Sequence, residues 1–159
     1  MTEFNYDSEK DRDFSHKYRE EVLSERRRKI LTKQKDLRWE KSRQAGRRAW
    51  LIDRSIGFGN AVISTFIGEI SAGGQSGKHE HNEACIYILN GKGYSIIGDN
   101  RYDWEEGDSI YIPPNTDHQH FNLDKENPVR YLAAIPEALS QYLGIHHYKQ
   151  KETNPSYSK

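Results

Sequence analysis

Residues 73–93 read GGQSGKHEHNEACIYILNGKG, and residues 107–122 read GDSIYIPPNTDHQHFN. Four of the chain's seven histidines lie in these two stretches, namely His79, His81, His118 and His120. Because successive side chains alternate across a β-sheet, two imidazoles at i and i+2 lie on the same face of a strand. A third imidazole from a later strand could then complete a set around one divalent metal ion. Neutral imidazole binds iron, zinc, copper and nickel alike, so the pattern predicts a metal site without choosing the metal.

The two stretches resemble the paired sequence motifs of the cupin family. The first motif is matched by Gly73, His79, His81 and Gly91, and the second by Gly107, Pro113, His118 and Asn122. Asn115 stands where the family prefers glycine, a mild change because asparagine tolerates the left-handed backbone conformation. The resemblance implies an all-β fold, the cupin double-stranded β-helix or jelly-roll barrel. It also implies a metal ion or another ligand in the mouth of that barrel.

The resemblance also bears on the ligands of the metal. In most metal-binding cupins a glutamate of the first motif is a fourth ligand, but the slot seven residues before Gly91 holds Ala84. Glu83 is one residue away, and a one-residue step sends a side chain to the opposite face of a strand. Counted from the two histidines before it, however, Glu83 has the inward parity. The predicted ligands are therefore His79, His81 and His118, with Glu83 left open as a fourth.

A missing glutamate resembles the gentisate 1,2-dioxygenase-like cupins, whose iron is held by three histidines. The resemblance therefore implies an enzyme, a mononuclear non-heme Fe(II) dioxygenase. Its substrate would be a small oxygen-bearing molecule, a class that includes aromatic compounds. Mn, Ni, Zn and Cu are the alternative metals. The alternative functions are a metal-dependent lyase, isomerase or decarboxylase, and a non-catalytic cupin that binds a small ligand.

His120 shares strand parity with His118, so it is expected to face the same cavity. We predict it to be catalytic, as an acid or base beside the substrate. Metal ligation, a hydrogen bond to a ligand, and a purely structural place in the barrel wall are the alternatives.

Outside the two motifs, the charge pattern divides the chain into three parts. Residues 1–48 are predicted to form a charged N-terminal α-helical arm, with a helix from Ser15 to Lys35, because apolar residues recur there at helical spacing. Residues 49–145 are predicted to form the barrel, and residues 146–159 a polar, loose C-terminal tail. The basic residues 26–29 follow several glutamates without any DNA-binding motif, so nucleic acid is not expected as a partner. The resemblance instead implies a homodimer.

The composition argues against a membrane protein, a secreted protein and a disulfide-bonded protein. The 159 residues are 34% hydrophobic and 30% charged, with a formal net charge of zero. No apolar run approaches the ~20 residues that cross a bilayer, and the N-terminal residues do not have the order of a signal peptide. The single cysteine, Cys85, excludes an internal disulfide. We therefore expect a cytoplasmic protein that acts on a small molecule and has no membrane partner.

Overall fold

The computed structural model describes Glu20, Ser24 and residues 29–157, and most of these residues belong to β-strands. The elements in chain order are β1 (Trp39–Lys41), β2 (Arg47–Ile52), β3 (Ser64–Ile70), β4 (Lys78–His81), β5 (Ala84–Asn90), β6 (Lys92–Ile97), β7 (Asn100–Glu105), β8 (Ser109–Ile112), β9 (His118–Asn122), β10 (Val129–Ile135), α1 (Glu137–Tyr142) and β11 (Tyr148–Glu152). Short 3-10 helices cover Gln34–Asp36 and Arg54–Ile56.

Two antiparallel sheets make up the barrel. The six-stranded sheet has the order β1-β2-β3-β10-β5-β8, and the five-stranded sheet has the order β11-β4-β9-β6-β7. Strands distant in sequence, such as β3 and β10, are therefore neighbours in space. The all-β jelly-roll predicted from the sequence is confirmed by this arrangement. No helix in the described part of the chain has the length and apolar character needed to cross a bilayer.

The core lies between the two sheets and follows the alternation of each strand. In β5, Ala84, Ile86 and Ile88 are buried, whereas the residues between them are exposed. The other large members of the core are Phe66, Ile70, Ile97, Trp104, Ile112, Val129 and Tyr131. Burying each large apolar side chain stabilises the fold by roughly 1.5–3 kcal/mol. This core holds the two sheets together, and β9, which carries two of the histidines, pairs with β6, which contributes Ile97 to it.

The N-terminal segment differs from the predicted helical arm. Most of the helix predicted from Ser15 to Lys35 lies outside the described residues, but residues 29–33 are irregular and the next three form a 3-10 helix. The predicted end of the helix is therefore wrong. The Thr32 hydroxyl donates to the carbonyl oxygen of Leu51 at 2.7 Å, which ties this segment to β2. Tertiary contacts of this kind commonly override local helix propensity.

Residues 39–48, assigned from the sequence to the arm, instead form β1 and the start of β2, which extend the six-stranded sheet beyond β3. Arg47, one of the charged residues of this segment, forms an ion pair on the outer face of the sheet. The carboxylate of Glu69 accepts hydrogen bonds from Arg47 Nε at 2.6 Å and from Arg130 Nε at 2.7 Å. The Trp39 ring lies against both guanidinium groups, at 4.7 and 5.4 Å. Burial raises the pKa of Glu69, but the arginine hydrogen bonds outweigh it and lower that pKa overall.

The C-terminal segment also differs from the prediction of a loose tail. Strand β11 pairs antiparallel with β4, and the buried side chain of Asn154 follows it. The Asn154 amide donates to the carbonyl oxygens of Ala45 at 3.0 Å and Gln75 at 2.7 Å. Because edge pairing uses backbone groups, the polar sequence YKQKE can form a strand without an apolar face. The segment is thus an integral part of the five-stranded sheet.

Candidate metal centre

Three histidines converge inside the barrel. His79 and His81 lie on β4, and His118 lies directly opposite His79 on the adjacent strand β9. Their ring centroids are 4.2 to 5.3 Å apart, and one ring nitrogen from each lies within 4.8 Å of the others. The third imidazole expected from a later strand is therefore in place.

Hydrogen bonds orient the three rings. In each of them Nδ1 lies at hydrogen-bond distance from a backbone carbonyl oxygen, that of Gly77 for His79 (2.8 Å), Thr116 for His118 (2.8 Å) and Asn82 for His81. A carbonyl oxygen can only accept, so Nδ1 must carry the proton in each ring. The lone pair is then on Nε2, which is the arrangement that metal-binding histidines adopt. The donor set of this site therefore fits a divalent transition metal.

The rings are also neutral near pH 7. His79 and His118 are buried, at 4% and 1% exposure, whereas His81 is partly exposed. Burial, together with the repulsion of neighbouring imidazoles, lowers the pKa of all three and brings that of His118 to about 4. A metal ion therefore has no proton to displace from these rings at neutral pH.

The strand that carries two of these histidines is held by charges on its outer side. Glu80, between His79 and His81, pairs with Lys151 Nζ at 2.9 Å and with His147 Nε2 at 3.0 Å. Hydrogen bonds from these partners lower the pKa of Glu80 to about 2. The contacts join β4 to the C-terminal segment and so fix the strand that carries the two rings.

Glu83, the fourth ligand left open by the sequence, lies outside this group. It precedes β5 and is exposed, like Cys85 and the other outward residues of that strand, whereas Ala84 is buried. Its carboxylate accepts a hydrogen bond from the Tyr111 hydroxyl at 3.2 Å, also at an exposed position. The parity counted back from Gly91 therefore describes this segment better than the parity counted from the histidines.

The Glu83→Gln variant is accordingly expected to keep its metal. The change removes a charge at the rim, so the free energy of unfolding should change by less than about 0.5 kcal/mol. Metal analysis of the variant beside His81→Gln, which alters a clustered imidazole, provides the comparison. Loss of metal in both variants would mean that the carboxylate turns inward when the ion binds.

A cavity of about 480 Å³ opens beside the histidine cluster, a size typical of small-molecule sites. Its wall includes Arg43, Arg48, His81, Glu137, His147 and Tyr148. His81 belongs both to the wall and to the cluster, so the cavity leads to the candidate metal centre. Of these wall residues, only His81 was predicted from the sequence to belong to the site.

His120 is buried at 4% exposure, and its ring centroid lies 5.6 Å from that of His118. Its nitrogens are not in the converging group, which among the described residues consists of the other three histidines. Burial lowers the pKa of His120 to about 3, so this ring is also neutral at pH 7. The structure thus places His120 inside the barrel beside the cluster, as its strand parity predicted.

Comparisons with known proteins agree with this architecture. A family model described as a cupin domain matches residues 66–135. An uncharacterized protein of Methanocaldococcus jannaschii is 39% identical over 46 residues, which are 29% of this chain and 37% of that protein.

Among solved structures, the polyketide cyclase RemF from Streptomyces resistomycificus is similar at 20% identity, with a TM-score of 0.59, over 79% of this chain and 84% of the cyclase. A salicylate 1,2-dioxygenase from Pseudaminobacter salicylatoxidans is similar at 11% identity, with a TM-score of 0.58, over 65% of this chain and 30% of the dioxygenase. The Lactobacillus farciminis oxalate decarboxylase matches at 22% identity, with a TM-score of 0.60, over 74% of this chain and 34% of the decarboxylase.

At these identities the likeness to solved structures concerns the fold, and the chain spans less than half of the curated relative and of the dioxygenase. The family match is more specific, because residues 66–135 include β4 and β9 and therefore all three clustered histidines. The two antiparallel sheets and the paired motifs in that segment agree with this match, so residues 66–135 are similar to a cupin domain in both sequence and fold.

Proposed function

We propose that this protein is a metal-dependent enzyme, a mononuclear non-heme Fe(II) dioxygenase. Its substrate is a small oxygen-bearing molecule, a class that includes aromatic compounds. The observation that carries the proposal is the group of three neutral imidazoles, without a carboxylate, one of which, His81, lines a cavity of about 480 Å³. Bound Fe(II) would supply oxygen activation at the positions that three protein ligands leave open.

The charge of this ligand set favours a particular class of substrate. Three neutral donors leave the charge of a divalent ion uncompensated in a buried site, where electrostatic interactions are strong. An anionic substrate with two oxygen donors, such as a hydroxy acid or an ionised diol, would neutralise that charge. A site with a ligand carboxylate would favour such a substrate less.

The residues of the cavity support the same substrate class. Arg43 and Arg48 line the opening, and the Arg48 guanidinium lies 4.6 Å from the centre of the Trp50 ring while it pairs with Glu40 at 2.7 Å. Basic groups at an opening raise the local concentration of anions. Phe66 and Ile135 supply apolar wall that excludes water from the bound molecule. We propose that His120, which lies beside the cluster, is a catalytic residue that acts as an acid or base on the substrate while the other three histidines hold the metal.

The test is metal analysis followed by oxygen uptake with gentisate, catechols and hydroxy acids. We expect Fe(II)-loaded protein to consume oxygen together with one of these substrates, and Zn(II)-loaded protein to consume none. An anaerobic sample of each mixture is the control. Product formed equally without oxygen would overturn the dioxygenase and favour a lyase, isomerase or decarboxylase, in which Mn, Ni, Zn, Cu or Fe acts as a Lewis acid. Binding without turnover would indicate a non-catalytic ligand-binding cupin.

We further propose that the protein is a cytoplasmic homodimer, without a nucleic-acid or membrane partner. The outer face of β5 and β8 exposes Tyr87 by 45%, Leu89 by 38% and Tyr111 by 55%. Large apolar side chains grouped on one face are typical of a surface that another chain covers. Analytical ultracentrifugation of the intact protein tests this proposal, since a concentration-independent monomer would contradict it.

A further inference from the structure

A chain of three buried side chains lies behind the ring of His120. Trp104 Nε1 lies 2.9 Å from Ser95 Oγ, and Ser95 Oγ lies 2.7 Å from His120 Nδ1. The exposures are 6% for Trp104, 0% for Ser95 and 4% for His120. The three residues come from the adjacent strands β7, β6 and β9, and Ser95 lies directly opposite His120 in the sheet. Bulk solvent therefore has little access to any of them.

The direction of these hydrogen bonds follows from the chemistry of the groups. An indole N–H can only donate, so Ser95 Oγ accepts from Trp104. Among the described residues the Ser95 hydroxyl has hydrogen bonds only with Trp104 and His120, so its own proton is directed to Nδ1 of His120, which accepts at 2.7 Å. With Nδ1 accepting, the single proton of the neutral imidazole must lie on Nε2.

This tautomer is the opposite of that in the three clustered histidines. His118, two residues earlier on the same strand, donates from Nδ1 to a backbone carbonyl oxygen and keeps its lone pair on Nε2. Nε2 of His120 instead carries a proton, so it cannot bind a metal without losing that proton. The two rings, 5.6 Å apart, are thus prepared for different tasks.

Glycine makes the chain of hydrogen bonds sterically possible. Gly93 is the residue of β6 opposite Trp104, and a Cβ atom at Gly93 would overlap the six-membered ring of that indole. Without a side chain there, the indole lies across β6 and its N–H reaches Ser95. The three-strand contact therefore depends on glycine at this one position.

We infer that Trp104 and Ser95 are positioning residues that hold His120 as an Nε2–H donor toward an anionic oxygen of a molecule bound at the candidate metal centre. His120 is then neither a fourth ligand nor a proton acceptor in the resting protein. The role of this donor in turnover rests on the proposed function, whereas the tautomer does not.

Long-range ¹H–¹⁵N NMR of Zn(II)-loaded protein with ¹⁵N-labelled histidine tests the tautomer directly. We expect a protonated Nε2 in His120 and a protonated Nδ1 in His79, His81 and His118. In Ser95→Ala the nitrogen shifts of His120 should move toward a mixture of tautomers, while Ser95→Thr, which keeps the hydroxyl, should restore the original shifts. A wild-type His120 protonated on Nδ1, or unchanged shifts in Ser95→Ala, would overturn the inference.

A matched control comes from Ser76, another fully buried serine, whose hydroxyl accepts from the backbone N–H of His120 at 2.8 Å and not from its ring. Ser76→Ala should leave the tautomer unchanged. Unaltered signals from the three clustered histidines show that each variant is folded.

Acetate binding to Co(II)-substituted protein, followed by its visible spectrum, tests the donor role without any enzymatic activity. A hydrogen bond to a charged oxygen typically changes affinity by roughly 10- to 100-fold. Ser95→Ala should therefore bind acetate about 10-fold more weakly at unchanged cobalt content, and Ser95→Thr should recover the affinity. Equal affinity in wild type and Ser95→Ala would refute the donor role. Failure of the oxygen-uptake experiment alone would leave both results standing.

Discussion

Alanine at His79, His81 or His118 is expected to abolish stable metal binding. Each imidazole supplies one of three converging nitrogens, so each substitution removes a third of the donor set. Changes to groups that merely support metal ligands typically cost about 10- to 100-fold in affinity. Removal of a ligand should therefore exceed about 100-fold. Elemental analysis after dialysis against a weak chelator measures the loss.

Two other histidines provide the controls for this experiment. His146→Ala changes an exposed histidine at the rim of the cavity, and His120→Asn changes the buried ring that we assign as a donor. Both variants should retain the metal. A His118→Ala protein that kept its metal while His120→Asn lost it would show that the second motif had been aligned to the wrong histidine.

The metal-free protein is expected to lose stability steeply as the pH falls below 6.5. The folded pKa of His118 is about 4 and that of His120 about 3, and that of His79 is also well below its ordinary value, all chiefly because of burial. Between these values and 6.5 the unfolded chain binds more protons than the folded chain, so acid favours unfolding. The stabilisation is present above pH 6.5 and is lost as the pH falls toward the folded values.

The expected loss is large compared with the stability of a typical domain. One pH unit corresponds to about 1 kcal/mol for each buried histidine, so three of them remove several kcal/mol by pH 5. Ordinary domains have a total of about 5–15 kcal/mol. Urea unfolding of metal-free protein at pH 7, 6 and 5 measures the slope. Equal stability at pH 7 and pH 5 would contradict the burial of these rings as neutral groups.

The two carboxylates in the strongest ion pairs titrate below the range of this measurement. Burial and hydrogen bonds leave the pKa of Glu69 below its ordinary value, and that of Glu80 is about 2. Their contributions are complete above pH 4.5 and are lost only in stronger acid. Burial raises the pKa of Glu137, so its contribution is lost as the pH rises and opposes that of the histidines. The same measurement on Glu137→Gln separates the two.

The barrel and its cluster could be predicted because both depend on local patterns. Strand parity placed His79 and His81 on one face, and the motif spacing supplied His118 from a later strand. The same parity rule explains why Glu83 turns outward once the strand is known to begin at Ala84. These inferences required only the alternation of side chains along single strands.

The remaining features depend on contacts between distant parts of the chain. Strands β1 and β11 lie at sheet edges, and β2 lies between β1 and β3. All three contain charged residues, and their sequences lack the regular apolar alternation that marks a strand. The contact of Trp104 with Ser95 and His120 arises only when three strands adopt one register. No pattern within any one of these segments indicates that register.

The pairing of β4 has a consequence for the order of events during synthesis. This strand, with His79 and His81, pairs with β9 at a single residue pair but with β11 at four. Until residues 148–152 leave the ribosome, most of one edge of β4 has no partner in the nascent chain. The two imidazoles are then held less rigidly than in the finished barrel. The candidate metal centre is therefore complete only after its last-made strand has paired, although its own ligands were translated much earlier.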